Sequence, residues 1–334
     1  MTVSKLTPIC PELYLAPMAG LTDWPFRELC RQYGGLKGTF VPMIGAAALL
    51  NKSSRQHTLE ILDWDANCQD RQVQIFGSST TEIYEASRIL LDLGASELNL
   101  NMGCQMPKIV KNGAGSALLR DLQQAKAVIA SCVKAVEGKI PISLKLRLGW
   151  DHFNTAKLLA QLKDLGINKV FMHGRLASDK FFGHVRLAEM RLASHASSVP
   201  FYANGDITDF VSAYRLASLP NCRGLMIGRA ALGRPTIFAE LNACFGKNDE
   251  LNNNLDTRLQ PNRWNNPCPL YLRFAAVKKH IFLAEQHVGS DELAAVRRLR
   301  RHLIAYDCLS PEVLQVQTFA ELKNLVFSIE PCDS

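Results

Sequence analysis

Ile142-Ser143-Leu144-Lys145-Leu146-Arg147-Leu148 alternates between aliphatic and polar residues without a break. Successive side chains of a β-strand point to opposite faces, so Ser143, Lys145 and Arg147 share one face and the aliphatics the other. Two cations on an inward face are costly unless an anion meets them. Working outward, β-type runs recur at 13–17, 39–43, 72–76, 97–101, 142–146, 169–173, 201–204 and 224–227, with helical stretches between them at 81–93, 122–136, 154–165 and 210–216. Gly94 and Gly166 stand just past helix ends, where a residue free to take positive φ closes the last turn. Repeated βα units of this kind build a parallel sheet. A doubly wound open sheet competes, but eight units over roughly 235 residues fit the (β/α)8 TIM barrel better.

Past Cys244 the texture changes. Residues 246–268 are rich in Asn, Asp, Gly and Pro and read as a linker, so the barrel is expected to occupy 1–245. Residues 270–288, 291–306 and 311–327 then read as three amphipathic helices, a small all-helical domain over 269–334. With 47% hydrophobic and 21% charged residues the chain can bury a sizeable core. It has no apolar run of membrane-spanning length and no leader pattern, which makes a soluble cytoplasmic protein the expectation. The ten cysteines show neither a C-x-x-C pair nor zinc spacing, so reduced thiols and no metal are expected. The formal charge of +7 suits a polyanionic partner without establishing one.

Polar residues gather at the C-terminal tips of the strands: Gln74, Asn99 and Asn101, Lys145 and Arg147, His173 and Asn204. Active sites of such barrels lie on that rim, and a convergent polar set there is suited to a polar, ring-containing ligand. The last two βα turns carry Asn204-Gly205-Asp206 and Gly228-Arg229, where glycine lets a phosphate approach the backbone.

Several motifs in order resemble the tRNA-dihydrouridine synthases: Ala16-Pro17-Met18-Ala19-Gly20-Leu21-Thr22-Asp23, Asn101-Met102-Gly103-Cys104, the stretch 108–118, Asn204-Gly205-Asp206 and Met226-Ile227-Gly228-Arg229. The resemblance implies an enzyme that takes electrons from NADPH through flavin mononucleotide (FMN) and reduces the C5=C6 bond of selected uridines in tRNA. It places Pro17, Met18 and Ala19 on the isoalloxazine ring, Gln74 and Lys145 at its polar edge and His173 nearby. Asn204, Gly205, Asp206, Gly228 and Arg229 would hold the ribityl phosphate. Cys104 matches the family's proton donor, and a thiol with an ordinary pKa of about 8.5 is mostly protonated at neutral pH, as an acid must be.

The helical tail is where this family carries its RNA-binding domain. Lys278, Lys279 and His280 on one helix, and Arg297, Arg300 and Arg301 on the next, form the expected phosphate-binding surface, joined by Lys108 and Lys111 beside the cysteine loop. A monomer acting on tRNA follows. Two other readings stay open: an FMN-dependent barrel oxidoreductase acting on a small molecule, and a flavin- and RNA-binding protein without chemistry. The sequence departs from the family pattern at Gln105, where proline normally follows the cysteine, and at Leu176 and 184–187, where the family carries Thr and then an acidic residue followed by an aromatic.

Overall fold

A computed structural model describes residues 10–62, 71–251, 270–289 and 291–328. Nine strands among them pair in parallel throughout: β1 Glu12–Leu15, β2 Gly38–Thr39, β3 Val41–Gly45, β4 Gln72–Phe76, β5 Glu97–Met102, β6 Ile142–Arg147, β7 Lys169–His173, β8 Phe201–Asn204 and β9 Cys222–Ile227. Their order around the sheet is β2-β1-β9-β8-β7-β6-β5-β4-β3. Only Phe40 separates β2 from β3, and β2 pairs with β1 while β3 pairs with β4. The two short strands thus occupy one place in the ring and close it, which reconciles nine segments with an eight-stranded barrel.

The period of two sorts the side chains as the sequence requires. Outward-facing Leu13, Leu15, Val73, Ile75, Leu98, Leu100, Ile142 and Leu144 are buried against the helix layer in one continuous core. Inside the barrel a separate cluster of Tyr14, Phe40, Phe171 and Tyr202 packs ring on ring, with Met226 and Ala16 completing it. Helices Thr80–Asp92 and Leu122–Val136 start at Ser79 and Asp121, whose side chains accept backbone N–H groups of the first turn. Gly94 and Gly166 take φ of 88° and 78°, as their position past helix ends demands.

Two expected helices are shorter than their patterns. In 154–165 only Ala156–Ala160 is regular α-helix, because the following turn tightens to i→i+3 bonds such as Gln161 N to Leu158 O (3.0 Å). The stretch 311–327 divides into a 3-10 turn, Pro311–Leu314, and a helix, Phe319–Phe327. Thr318 causes the break: its hydroxyl accepts from Glu321 N (3.2 Å) and starts a new helix. Of the expected linker 246–268, residues up to 251 continue the helix Ile237–Leu251, and 252–268 lie outside the described residues.

The tail helices Leu270–Gln286 and Glu292–Leu303 sit directly on the barrel's first helix, Trp24–Tyr33. Phe26 packs against the imidazoles of His280 and His302 at 5.7 and 4.7 Å, and Trp24 stacks on His287 at 4.4 Å. Gly233, at φ 72°, comes so close to the tail that a Cβ there would lie 1.8 Å from the Ala305 carbonyl oxygen. Barrel and tail therefore share one core.

Candidate active site at the barrel mouth

The strand tips surround a cavity of about 550 Å³. Cys104 lines it together with Gln74, Lys145, His173 and Asn204 from the strands. The loop after β1 contributes Pro17, Met18 and Ala19, and the turns after β8 and β9 contribute Gly205, Asp206, Gly228 and Arg229. The structure thus brings every barrel residue singled out from the sequence for cofactor or proton transfer to one cavity.

Positive charge dominates its wall. Lys145 donates to Asn204 Oδ1 (3.2 Å), and its pKa is pushed down to about 8, first by burial and then by Arg147. Arg147 is pushed down to about 10 by burial and by Arg175. It donates to the carbonyls of Gly103 (3.0 Å), Leu176 (2.7 Å) and Lys180 (2.8 Å), tying the cysteine loop to the segment after β7. No carboxylate lies within hydrogen-bond distance of Lys145 or Arg147 among the described residues; Asp179 acts on Arg147 from farther off and is itself held by Arg186 (3.0 Å). Burial, followed by Lys145, Arg147, Arg175 and Arg229, holds His173 well below the usual imidazole range, so the ring is neutral. Arg175 donates to its Nε2 (3.1 Å), which leaves the ring proton on Nδ1.

Asp206 contributes differently from the expectation drawn from its place in the turn. Its carboxylate accepts two bonds from buried Arg175 (2.6 and 2.8 Å) and one from Val185 N (2.9 Å). A phosphate at this turn would therefore meet Asp206 backbone, held at φ 51°, and not its acid group. Gly205 is required here on steric grounds, since a Cβ would lie 2.8 Å from the His173 ring.

Cys104 stands on a turn built by Asn101, whose Oδ1 accepts from Gly103 N (3.0 Å) and Cys104 N (2.9 Å). Ser116 N closes the other side on the Cys104 carbonyl (2.8 Å), next to Gly115 at φ 62°, where a Cβ would lie 2.6 Å from that oxygen. The thiol is half-buried and faces the cavity. Gln105, in the place of the family's proline, keeps a buried side-chain oxygen without a hydrogen-bond partner.

The basic residues proposed to meet RNA fall into two groups. Lys108, Lys111, Arg297 and Arg301 are exposed, and Arg301 reaches the loop after β1: a Cβ on Gly20 would lie 2.7 Å from its Nη1. Lys278 and Lys279 are half-buried over the rings of Phe327 (5.4 Å) and Tyr33 (5.1 Å), and Arg300 is half-buried as well. His280 is fully buried, which removes it from any RNA surface. Its side chain, that of His302 and the Asp23 carboxylate lie within 4.8 Å of one another and join the tail to the loop after β1. Sequence reasoning passed over Arg175 as a partner for Asp206 and Asn101 as the anchor of the cysteine turn. The inward parity of Arg147 was the available signal for its role at the site.

Fold and site together define a (β/α)8-barrel enzyme whose mouth, at the C-terminal ends of the strands, joins a thiol to two cations, Lys145 and Arg147. The sequence model of the Dihydrouridine synthase (Dus) family matches residues 14–326, and the chain belongs to that family. It is 34% identical over 310 residues to tRNA-dihydrouridine synthase B of Pseudomonas aeruginosa, covering 91% of this chain and 86% of that protein. To tRNA-dihydrouridine synthase B of Escherichia coli K12 it is 37% identical over 232 residues, covering 69% of this chain and 70% of that one. A probable tRNA-dihydrouridine synthase of Mycobacterium tuberculosis is 31% identical over 334 residues, covering 93% of this chain and 80% of that one.

Proposed function

We propose that this protein reduces the C5=C6 bond of specific uridines in tRNA, using FMN and electrons from NADPH. The observation that carries the reading is the meeting of Cys104 with Lys145 and Arg147, neither of them hydrogen-bonded to a carboxylate, in one cavity of a Dus-family barrel. The wall fits a flavin nucleotide on chemical grounds: half-buried Lys145 and buried Arg147 suit an anion, and Gly205 and Gly228 bring backbone without a side chain to the cavity. Pro17, Met18 and Ala19 would pack on the ring, Gln74, Lys145 and His173 would meet its polar edge, and Asn204, Gly205, Asp206 backbone, Gly228 and Arg229 would hold the phosphate.

When bound, the reduced flavin supplies hydride to uracil C6. Cys104 gives its Sγ proton to C5, and the thiolate left behind is reprotonated from solvent, so one hydride and one proton are added across the double bond. Lys145 and Arg147 line the same cavity wall as Cys104 and would meet the negative charge of the bound flavin. Neutral His173 offers Nδ1–H as a donor and takes no part as an acid at neutral pH. Asn101 and Arg147 hold the cysteine turn through side-chain and carbonyl bonds. The exposed Arg297, Arg301, Lys108 and Lys111 meet tRNA phosphates, and Arg301 does so beside the cavity loop.

The test is to purify the full chain, record its flavin absorption, and map dihydrouridine in cellular RNA with and without the protein. Bound FMN and dihydrouridine that vanishes from defined tRNA positions are expected. A protein that neither retains nor binds FMN, or an unchanged dihydrouridine map, overturns the reading.

A further inference from the structure

A chain of buried polar groups runs inside the barrel from the Cys104 turn to the opposite end of the strands. Gly103 N and Cys104 N donate to Asn101 Oδ1, and Asn101 Nδ2 donates to Gln74 Oε1 (2.8 Å). Gln74 Nε2 donates to Asn99 Oδ1 (2.7 Å), Asn99 Nδ2 to Ser143 Oγ (2.8 Å), and the Ser143 hydroxyl to Glu97 Oε1. Glu97 Oε2 lies 2.8 Å from Lys169 Nζ. Gln74, Glu97, Asn99, Asn101 and Ser143 are all buried. Glu97, Asn99 and Asn101 alternate along β5 on its inner face, and the register sets Gln74 beside Asn99 and Asn99 beside Ser143.

Every donor in this chain points toward Glu97. The direction follows from its ends: backbone N–H groups can only donate, and an ionised carboxylate can only accept. Turning any one amide between them would set donor against donor or acceptor against acceptor, at the cost of an unsatisfied buried group. Gln74 must therefore turn Oε1 to Asn101 and Nε2 to Asn99, which leaves one Nε2 hydrogen over in a residue that lines the cavity. Each bond also polarises the next in a low-dielectric interior.

We propose that Glu97 is a positioning residue for the mouth: from the far end of the strands its carboxylate sets the direction of the amide chain, which fixes the Cys104 turn and presents Gln74 to the bound ligand as a donor. The second half of this statement rests on reading the cavity as a flavin site; the first does not. In Glu97→Gln the new amide must give its carbonyl to Lys169, so its NH2 faces Ser143 and the buried Ser143 hydroxyl loses its acceptor, a cost that reversal of the chain relieves. Reversal ends with the Asn101 amide NH2 facing the Gly103 and Cys104 N–H groups, which loosens the turn. Ser143→Ala cuts the chain while leaving the Glu97–Lys169 pair intact, and Ser143→Thr retains the hydroxyl.

Residue-resolved hydrogen exchange on the full chain, with and without added FMN, tests the proposal. Glu97→Gln and Ser143→Ala are expected to speed exchange of the Gly103 and Cys104 amides roughly tenfold, with protection along the rest of β5 and β6 retained and Ser143→Thr unchanged. With FMN added, both are expected to shift the absorption of the bound flavin, and Ser143→Thr is not. Unchanged exchange at Gly103 and Cys104 in Ser143→Ala overturns the relay. Protection lost evenly along β5 and β6 also overturns it, since general loosening then explains the effect. The expected exchange pattern in a chain that binds no FMN upholds the relay and overturns the flavin reading alone.

Discussion

The two ends of the barrel treat positive charge in opposite ways. At the lower end Lys169 is held by Glu97 at 2.8 Å, and Arg223 lies 3.3 Å from Glu12, which also accepts from the Tyr202 hydroxyl (2.7 Å). Burial alone would lower the Lys169 pKa, but Glu97 and Tyr14 together more than offset it and the net shift is upward. At the mouth Lys145 and Arg147 are shifted down to about 8 and 10, with no carboxylate within hydrogen-bond distance of either among the described residues. The lower end is an internally neutralised base plate. The mouth retains charge that is unfavourable in the empty protein and is relieved by an anion.

This contrast can be broken by exchanging one lysine at each end. Lys169→Met leaves Glu97 buried without its cation and is expected to cost about 3–5 kcal/mol of folding stability by denaturant titration. Lys145→Met removes a cation that folding disfavours, so stability should hold or rise, while FMN affinity falls roughly tenfold to a hundredfold in a binding titration. A Lys145 variant that unfolds like the Lys169 variant would erase the distinction between the two ends.

Acidity sharpens the same comparison. Lys145 has a folded pKa of about 8 against an ordinary 10.5. Between those values the unfolded chain holds more protons, so the ligand-free protein gains stability as pH rises from about 8 to 10.5. Binding of an anion runs the other way and weakens as pH rises through about 8. Titrations of melting temperature and FMN affinity against pH check both signs, and Lys145→Met should flatten both curves in that window. A smaller effect is expected at the tail. Burial and then Arg301 push His302 down to about 4 from an ordinary 6.5, so the barrel–tail packing loses stability as pH falls from about 6.5 toward 4. His302→Phe should reduce that dependence in an acid titration of tail protection.

Short β-type runs located β4, β7 and β8 at their observed bounds, because a barrel strand is buried on both faces and reads as a short, mostly apolar run between turn signals. The mouth was legible from the same runs, since residues at the C-terminal tips of barrel strands converge whatever the intervening loops do. Contacts that depend on loop paths were not legible. The Arg175–Asp206 pair joins residues on different βα turns, and nothing in the local sequence shows that an acid beside a phosphate-type glycine is already engaged. The tail was harder to read for a related reason. Helix Leu270–Gln286 is covered on several sides, by the barrel's first helix and by its tail neighbours, so its polar residues include a fully buried His280 and two half-buried lysines. The break at Thr318 is a Thr-x-x-Glu cap inside a stretch whose amphipathic pattern runs on through it.

Uridine reduction at the mouth with Cys104 as the acid is tested by the rate at which full-length protein, loaded with FMN and reduced by NADPH, forms dihydrouridine in unmodified tRNA, for the native chain and for Cys104→Ala. Dihydrouridine is expected from the native chain and a loss of about 10²–10⁴-fold in the variant, with FMN binding and NADPH-driven flavin reduction preserved. Equal dihydrouridine formation by Cys104→Ala, or none by a flavin-loaded native chain, would contradict it.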